Sequence, residues 1–136
     1  MHMPQSLPAL VTLAMVLWYM VTVFQVGRAR TKYKVLAPAT TGDPAFERAF
    51  RVQMNELENL VVFLPSMWIY AVMGNPRNAA VLGAVYLVGR IVYAVGYWSE
   101  ARKRAIGYYI ATLAFAVTWA LALGAAISRA GLQVSG

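Results

Sequence analysis

The chain has 136 residues, is 60% hydrophobic and 12% charged, carries a formal net charge of +7 and contains no cysteine. That length gives room for one domain, residues 1–136, and the composition lies far from the soluble average, which makes a membrane protein the leading class. Disulfides and thiolate metal sites are excluded, and a single histidine leaves too few ligands for a protein-held metal.

Four apolar blocks follow one another: Leu7 to Phe24, Leu60 to Met73, Ala79 to Gly96 interrupted by Arg90, and Ala105 to Ile127. A hydrocarbon core about 30 Å thick needs roughly 20 helical residues at about 1.5 Å each, so the second block spans only if its helix starts within the charged stretch before it. The segments expected are Leu7 to Tyr33, Pro44 to Met73, Pro76 to Ser99 and Arg102 to Ala130, an all-α, four-transmembrane-helix bundle. A soluble bundle would show a polar face along each helix, yet the first and last blocks carry no charge on any face.

The first block lacks a basic lead-in and is followed by Arg28, Arg30, Lys32 and Lys34, not by a small-residue cleavage site, so it reads as a retained anchor. No role attaches to His2, near the start of the chain. The following loop, VLAPATTGDP, ends with Asp43 as helix cap and Pro44 at the first helical position. Gly74, Asn75 and Pro76 make a tight turn between the second and third spans. Arg102, Lys103 and Arg104 separate the third span from the fourth, while the other side has Arg77 and Arg129. By the positive-inside rule both basic connections face the cytoplasm, and the excess charge is topological; no nucleic-acid partner is expected.

The stretch FERAFRVQMNELEN, Phe46 to Asn59, opens the second span with five charged side chains. On a helix Arg48, Arg51, Asn55 and Glu58 share a stripe about 80° wide, while Gln53 projects from nearly the opposite side. Glu56 lies off the stripe and is expected to pair locally or meet solvent. In the third span Tyr86, Arg90, Tyr93 and Tyr97 again fall on one face. Ionisable groups in hydrocarbon cost about 2.5 to 3.5 kcal/mol each on insertion scales, so such stripes require protein partners or a polar cavity. Two stripes converging at the basic end would offer guanidiniums for carboxylates, a carboxylate for an amine, amides for peptide groups and phenols for hydrogen bonds. That inventory suits a small, zwitterionic, peptide-like molecule. Arg90 fits either this cavity or an intramembrane ion pair with a second-span carboxylate. Pro65 is expected to bend the second span, and Gly83, Gly89 and Gly96 to allow close helix approach.

FERAFRVQMNELEN followed by VVFLP, and then LVGRIVYAVGYWSEARKRA, resembles the MAPEG family of four-helix membrane proteins over roughly residues 29–123. The core of the resemblance pairs E-R-x-x-R-x-Q-x-N-x-x-E with G-R-x-x-Y-x-x-G-Y. It implies a homotrimer with glutathione as co-substrate, bound at subunit boundaries open to the cytosol. Arg51, Asn55, Glu58, Tyr93, Tyr97 and Arg104 would come from one subunit, and Arg30 and Gln53 from its neighbour. Arg104 would be catalytic, holding the glutathione sulfur as thiolate for transfer to a lipophilic electrophile or for reduction of a lipid hydroperoxide. Two positions depart from the leukotriene-synthase pattern of the family: Thr31 stands where an arginine is found, and Asn59 where a tyrosine is found. The resemblance also allows a non-catalytic lipid-binding scaffold of the same fold, although a lipid presenter has no need of the glutathione set. A small channel is a third reading, disfavoured because no charge marks the centre of the first or fourth span. The membrane is expected to be a bacterial inner membrane or the endoplasmic reticulum, with the site on the cytoplasmic side.

Overall fold

A computed structural model describes residues 5–134; His2 lies outside them. The described residues form four helices and no strand: α1, Ser6–Tyr33; α2, Pro44–Met73; α3, Pro76–Ser99; and α4, Ala105–Val134, with a 3-10 turn at Ala101–Arg104 between the last two. Each is long and apolar enough to cross a membrane, which makes the chain an integral, multi-pass membrane protein.

The ends follow local chemistry. Asp43 Oδ1 accepts from the Ala45 amide at 2.8 Å and Asn75 Oδ1 from the Asn78 amide at 3.0 Å, with proline at the first helical position each time. Helix α1 stops at Lys34, whose φ of 55° turns the chain left-handed. The fourth span departs from expectation at both ends. Glu100 is extended, so Arg102 to Arg104 wind into the 3-10 turn instead of opening α4, and α4 continues past Ala130 to Val134. Pro65 is accommodated inside the continuous helix α2.

The helices pack through aromatic and small residues. Phe63 of α2 and Tyr86 of α3 stack with ring centroids 3.8 Å apart and planes 6° from parallel. Between α3 and α4 the backbones approach so closely that a Cβ on Gly89 would lie 2.7 Å from the Ala111 nitrogen, and one on Gly107 would strike the Tyr93 backbone. Polar contacts also tie the helices together. Trp68 Nε1 donates to Thr12 Oγ1 at 3.0 Å across α2 and α1, and at the far end Arg129 Nε donates to the Met73 carbonyl at 3.1 Å.

Glu56 corrects the sequence reading. It is 2% exposed and neither pairs locally nor meets solvent: its Oε1 accepts from Arg90 Nε and lies 2.8 Å from Nη2 of the same, equally buried guanidinium. A lone charge there would be costly, and each ion supplies the other's counter-charge. Arg90 is thereby resolved as one half of a structural ion pair between α2 and α3. Leu13, Leu17 and Phe24 of α1 and Leu113 and Trp119 of α4 remain exposed on the outside of the bundle.

Candidate functional site

The up-and-down topology brings the end of α1, the start of α2, the end of α3 and the start of α4 to one end of the bundle. Most of the 12 lysines and arginines collect there; Arg77 and Arg129 lie at the other end, and Arg90 lies inside. The site builds from α3. Successive turns carry Arg90, Tyr93 and Tyr97 along one face. The Arg90 guanidinium covers the Tyr93 ring at 4.1 Å, Tyr93 meets Tyr97 edge-on at 5.6 Å, and the Arg104 guanidinium covers the Tyr97 ring at 5.1 Å. From α2, Asn55 Nδ2 donates to the hydroxyl of Tyr93, which is only 4% exposed. Asn55, Tyr93, Tyr97 and Arg104 are thus one connected line from the bundle interior to its basic end.

Arg51 and Glu58 stand seven residues apart on the same face of α2, both exposed and both without a hydrogen bond or ion pair among the described residues. Their charges are available to a ligand. Glu100 takes up the neighbouring cations instead, with Arg102 Nη2 at 2.7 Å and Lys103 Nζ at 3.9 Å from its carboxylate. Arg104 is not among its partners, so its guanidinium rests on Tyr97 uncompensated by any carboxylate among the described residues.

Two hollows flank this line. One, of about 440 Å³, is lined by Thr40, Glu47, Arg48, Arg51, Tyr97 and Ala101. The other, of about 580 Å³, is lined by Arg102, Arg104, Tyr108 and Tyr109 and shares Ala101 with the first. A polar hollow and an aromatic, basic one therefore meet at the turn that carries Arg104.

Arg30 and Gln53 stand apart from the rest. Arg30 Nη1 donates to the Ala39 carbonyl at 2.8 Å and to Val35 at 3.4 Å, with its guanidinium 4.8 Å above the Phe46 ring, so it clasps the α1–α2 loop. Gln53 faces α1, where its Nε2 donates to the Tyr19 hydroxyl at 3.4 Å. Within one chain neither joins Arg51, as the helical phase of Gln53 requires. A third hollow of about 570 Å³ lies along the end of α1, bordered by Gly27, Thr31 and Lys32 and closed by Ala49 and Trp98.

Arg48, which helical periodicity places on the stripe of Arg51, has its Nε donating to the Trp98 carbonyl at 3.3 Å and ties α2 to the end of α3. Tyr108 and Tyr109, to which the sequence assigned no ligand role, meet edge-on at 5.5 Å and line the hollow that Arg104 also lines. The placing of Tyr108 and Tyr109 beside Arg104 depends on the 3-10 turn that sets the start of α4. No group of three or more acidic or histidine side chains that would hold a metal occurs among the described residues.

Comparison with known proteins bears on the family of the chain. The uncharacterised protein sll1147 of Synechocystis sp. is 49% identical over 121 residues, 89% of this chain and 86% of that protein. Leukotriene C4 synthase of Cavia porcellus is 39% identical over 117 residues, 86% of this chain and 78% of its own length. Microsomal glutathione S-transferase 2 of Homo sapiens is 46% identical over 84 residues, which span 62% of this chain and only 57% of the human protein. The sequence profile of the MAPEG family matches residues 8–124, and this chain belongs to that family.

Proposed function

We propose that the protein is a glutathione-dependent membrane transferase, assembled as a homotrimer, that conjugates glutathione to a lipophilic electrophile. The observation that carries this reading is the connected line Asn55, Tyr93, Tyr97 and Arg104 beside Arg51 and Glu58, whose charges have no partner among the described residues. The names of the human and guinea-pig relatives point to the same chemistry.

Glutathione carries two carboxylates, an ammonium and a thiol. Arg51 holds one carboxylate and Glu58 the ammonium, while Asn55 satisfies a peptide group and Tyr93 and Tyr97 shape the wall. Arg30 and Gln53 of a neighbouring copy complete the grip. Arg30 uses only Nη1 on its loop, which leaves Nε and Nη2 for a carboxylate. With the basic connections facing the cytoplasm, the co-substrate enters from water.

A free thiol with pKa about 8.5 is only about 3% ionised at pH 7. A guanidinium beside the sulfur lowers that pKa by roughly 1 to 3 units, and a drop of about two units makes the thiolate the main form. Arg104 takes this role, since an arginine stays protonated in a partly desolvated site. The thiolate attacks the electrophilic carbon; the S–C bond forms, the bond to the leaving atom breaks, and that atom takes its proton from water. Thr31 offers no second cation for that oxygen. The acceptor lies on the Tyr108 and Tyr109 side of Arg104, reached from the bilayer. A lipid hydroperoxide in the same place would lose its O–O bond to the thiolate, giving an alcohol and a sulfenic acid that a second glutathione reduces.

The test is calorimetry of glutathione binding to protein in detergent, with the ultraviolet absorbance of the thiolate followed in wild type and Arg104→Ala. Binding kept within a few-fold, with the thiolate band lost, is the expected outcome. Wild-type protein that binds no glutathione overturns the proposal.

A further inference from the structure

The buried Glu56–Arg90 pair has no place in the chemistry above, yet it touches the site. Arg90 reaches across from α3 to Glu56 with two nitrogens on one oxygen, and the same guanidinium covers the Tyr93 ring at 4.1 Å. Glu56 adjoins Asn55 in the chain, and Asn55 donates to the Tyr93 hydroxyl. The four groups form a closed circuit: α2 backbone, Glu56, Arg90, the Tyr93 ring and its hydroxyl, and back to Asn55. A circuit of this kind admits one rotation of α3 against α2, because a turn of either helix breaks two contacts at once. An ion pair is not needed for stability here, since apolar side chains of similar volume commonly replace one without loss.

We propose that Glu56 and Arg90 are positioning residues, whose ion pair sets the Tyr93 ring and the Asn55 amide in the arrangement that receives glutathione. The inference rests on the glutathione reading of the site. Its test is Glu56→Leu combined with Arg90→Met, which removes both charges together and leaves neither ion alone in hydrocarbon. The double variant is expected to melt within a few degrees of wild type. Its KM for glutathione is expected to rise about fivefold, the scale of one hydrogen bond of about 1 kcal/mol, with kcat held within about twofold. In a Tyr93→Phe background the same double change adds nothing further to KM, because the pair acts through Tyr93. An unchanged KM, or an effect that persists undiminished in the Tyr93→Phe background, overturns the proposal.

A second readout needs no glutathione. With 3,5-difluorotyrosine at position 93, the two ring fluorines of a held ring lie in unlike surroundings and give two resolved resonances in wild type, while in the double variant ring turning broadens or merges them. If wild type neither binds nor uses glutathione, the function proposed above fails, and this spectrum alone decides the positioning role: identical fluorine spectra in both proteins refute it. Should the double variant not fold, Glu56→Asp keeps the charge, shortens its reach by one methylene and is judged by the same KM and fluorine criteria.

Discussion

Gly107 couples packing to the site, and the coupling has a magnitude. A methyl group there would lie 2.5 Å from both the Gly89 carbonyl oxygen and the Tyr93 Cα, and would strike the Tyr93 nitrogen. Non-bonded atoms prefer roughly 3.5 Å or more, so α4 must move about 1 Å away from α3. The obstructing atoms are backbone in a hydrogen-bonded helix and cannot rotate aside as a side-chain tip would. Arg104 lies three residues before Gly107, so the displacement also pulls its guanidinium from the Tyr97 ring, now 5.1 Å away. Overpacking of this kind costs about 1 to 3 kcal/mol, while replacing glycine by alanine in a helix returns about 1 kcal/mol of propensity. Gly124 supplies the control, since it lies in the same helix with nothing within 4 Å of an added Cβ. Gly124→Ala receives the propensity gain alone, so Gly107→Ala should be the less stable of the two by about 1 to 3 kcal/mol. Circular-dichroism melting in one detergent measures the gap, and Gly107→Ala should also raise the KM for glutathione where Gly124→Ala does not. Equal melting temperatures for the two variants would refute the argument.

Three other predictions separate ligand contacts from scaffold contacts. Tyr93→Phe keeps the ring under Arg90 but leaves the Asn55 amide without its acceptor, a change of about 1 kcal/mol, so glutathione affinity measured by calorimetry should fall about fivefold. Trp68→Phe removes the bond to Thr12 far from the basic end; melting should show a loss of about 0.6 to 1 kcal/mol while KM stays constant. Arg30→Ala frees the carbonyls of Val35 and Ala39, and limited trypsin digestion in detergent should cut after Lys34 faster than in wild type; an unchanged rate would mean that the clasp does not hold the loop.

The fold was legible because hydrophobicity and punctuation agree. Asp43 with Pro44 and Asn75 with Pro76 fix two helix starts to the residue, and the lengths of the apolar blocks give the number of crossings. The start of α4 was less legible: Arg102, Lys103 and Arg104 can open a helix by propensity, and only the extended backbone at Glu100 shows that they wind separately. In the site, helical periodicity placed Tyr93, Tyr97, Arg51 and Glu58 on their faces. It could not show that Arg30 spends one nitrogen on its own loop, because that contact depends on the path of residues 35–39. Glu56 was misread although its signal was present. At about 100° per residue it falls within the phase of Val52, Phe63 and Met67, the buried face of α2, where a carboxylate must find a cation.

Depth in the bundle decides which charges can work. At Glu56 and Arg90 no water competes, so the ions satisfy each other and their contribution is geometric. One helical turn nearer the basic end, Tyr93 takes its hydrogen bond from an amide, a neutral partner that a ligand can exchange without leaving a bare charge behind. Arg51 and Arg104, nearer the basic end, are exposed and have no carboxylate partner among the described residues, a state that hydration tolerates and hydrocarbon would not. The same gradient explains why Glu100 matters although it lies outside the proposed site. By holding Arg102 and Lys103 it leaves Arg104 as the cation of the turn that rests on Tyr97. Removing Glu100 would leave three neighbouring cations to repel one another at the mouth of both hollows, and a thiolate would then have competing guanidinium and ammonium partners in place of one fixed position.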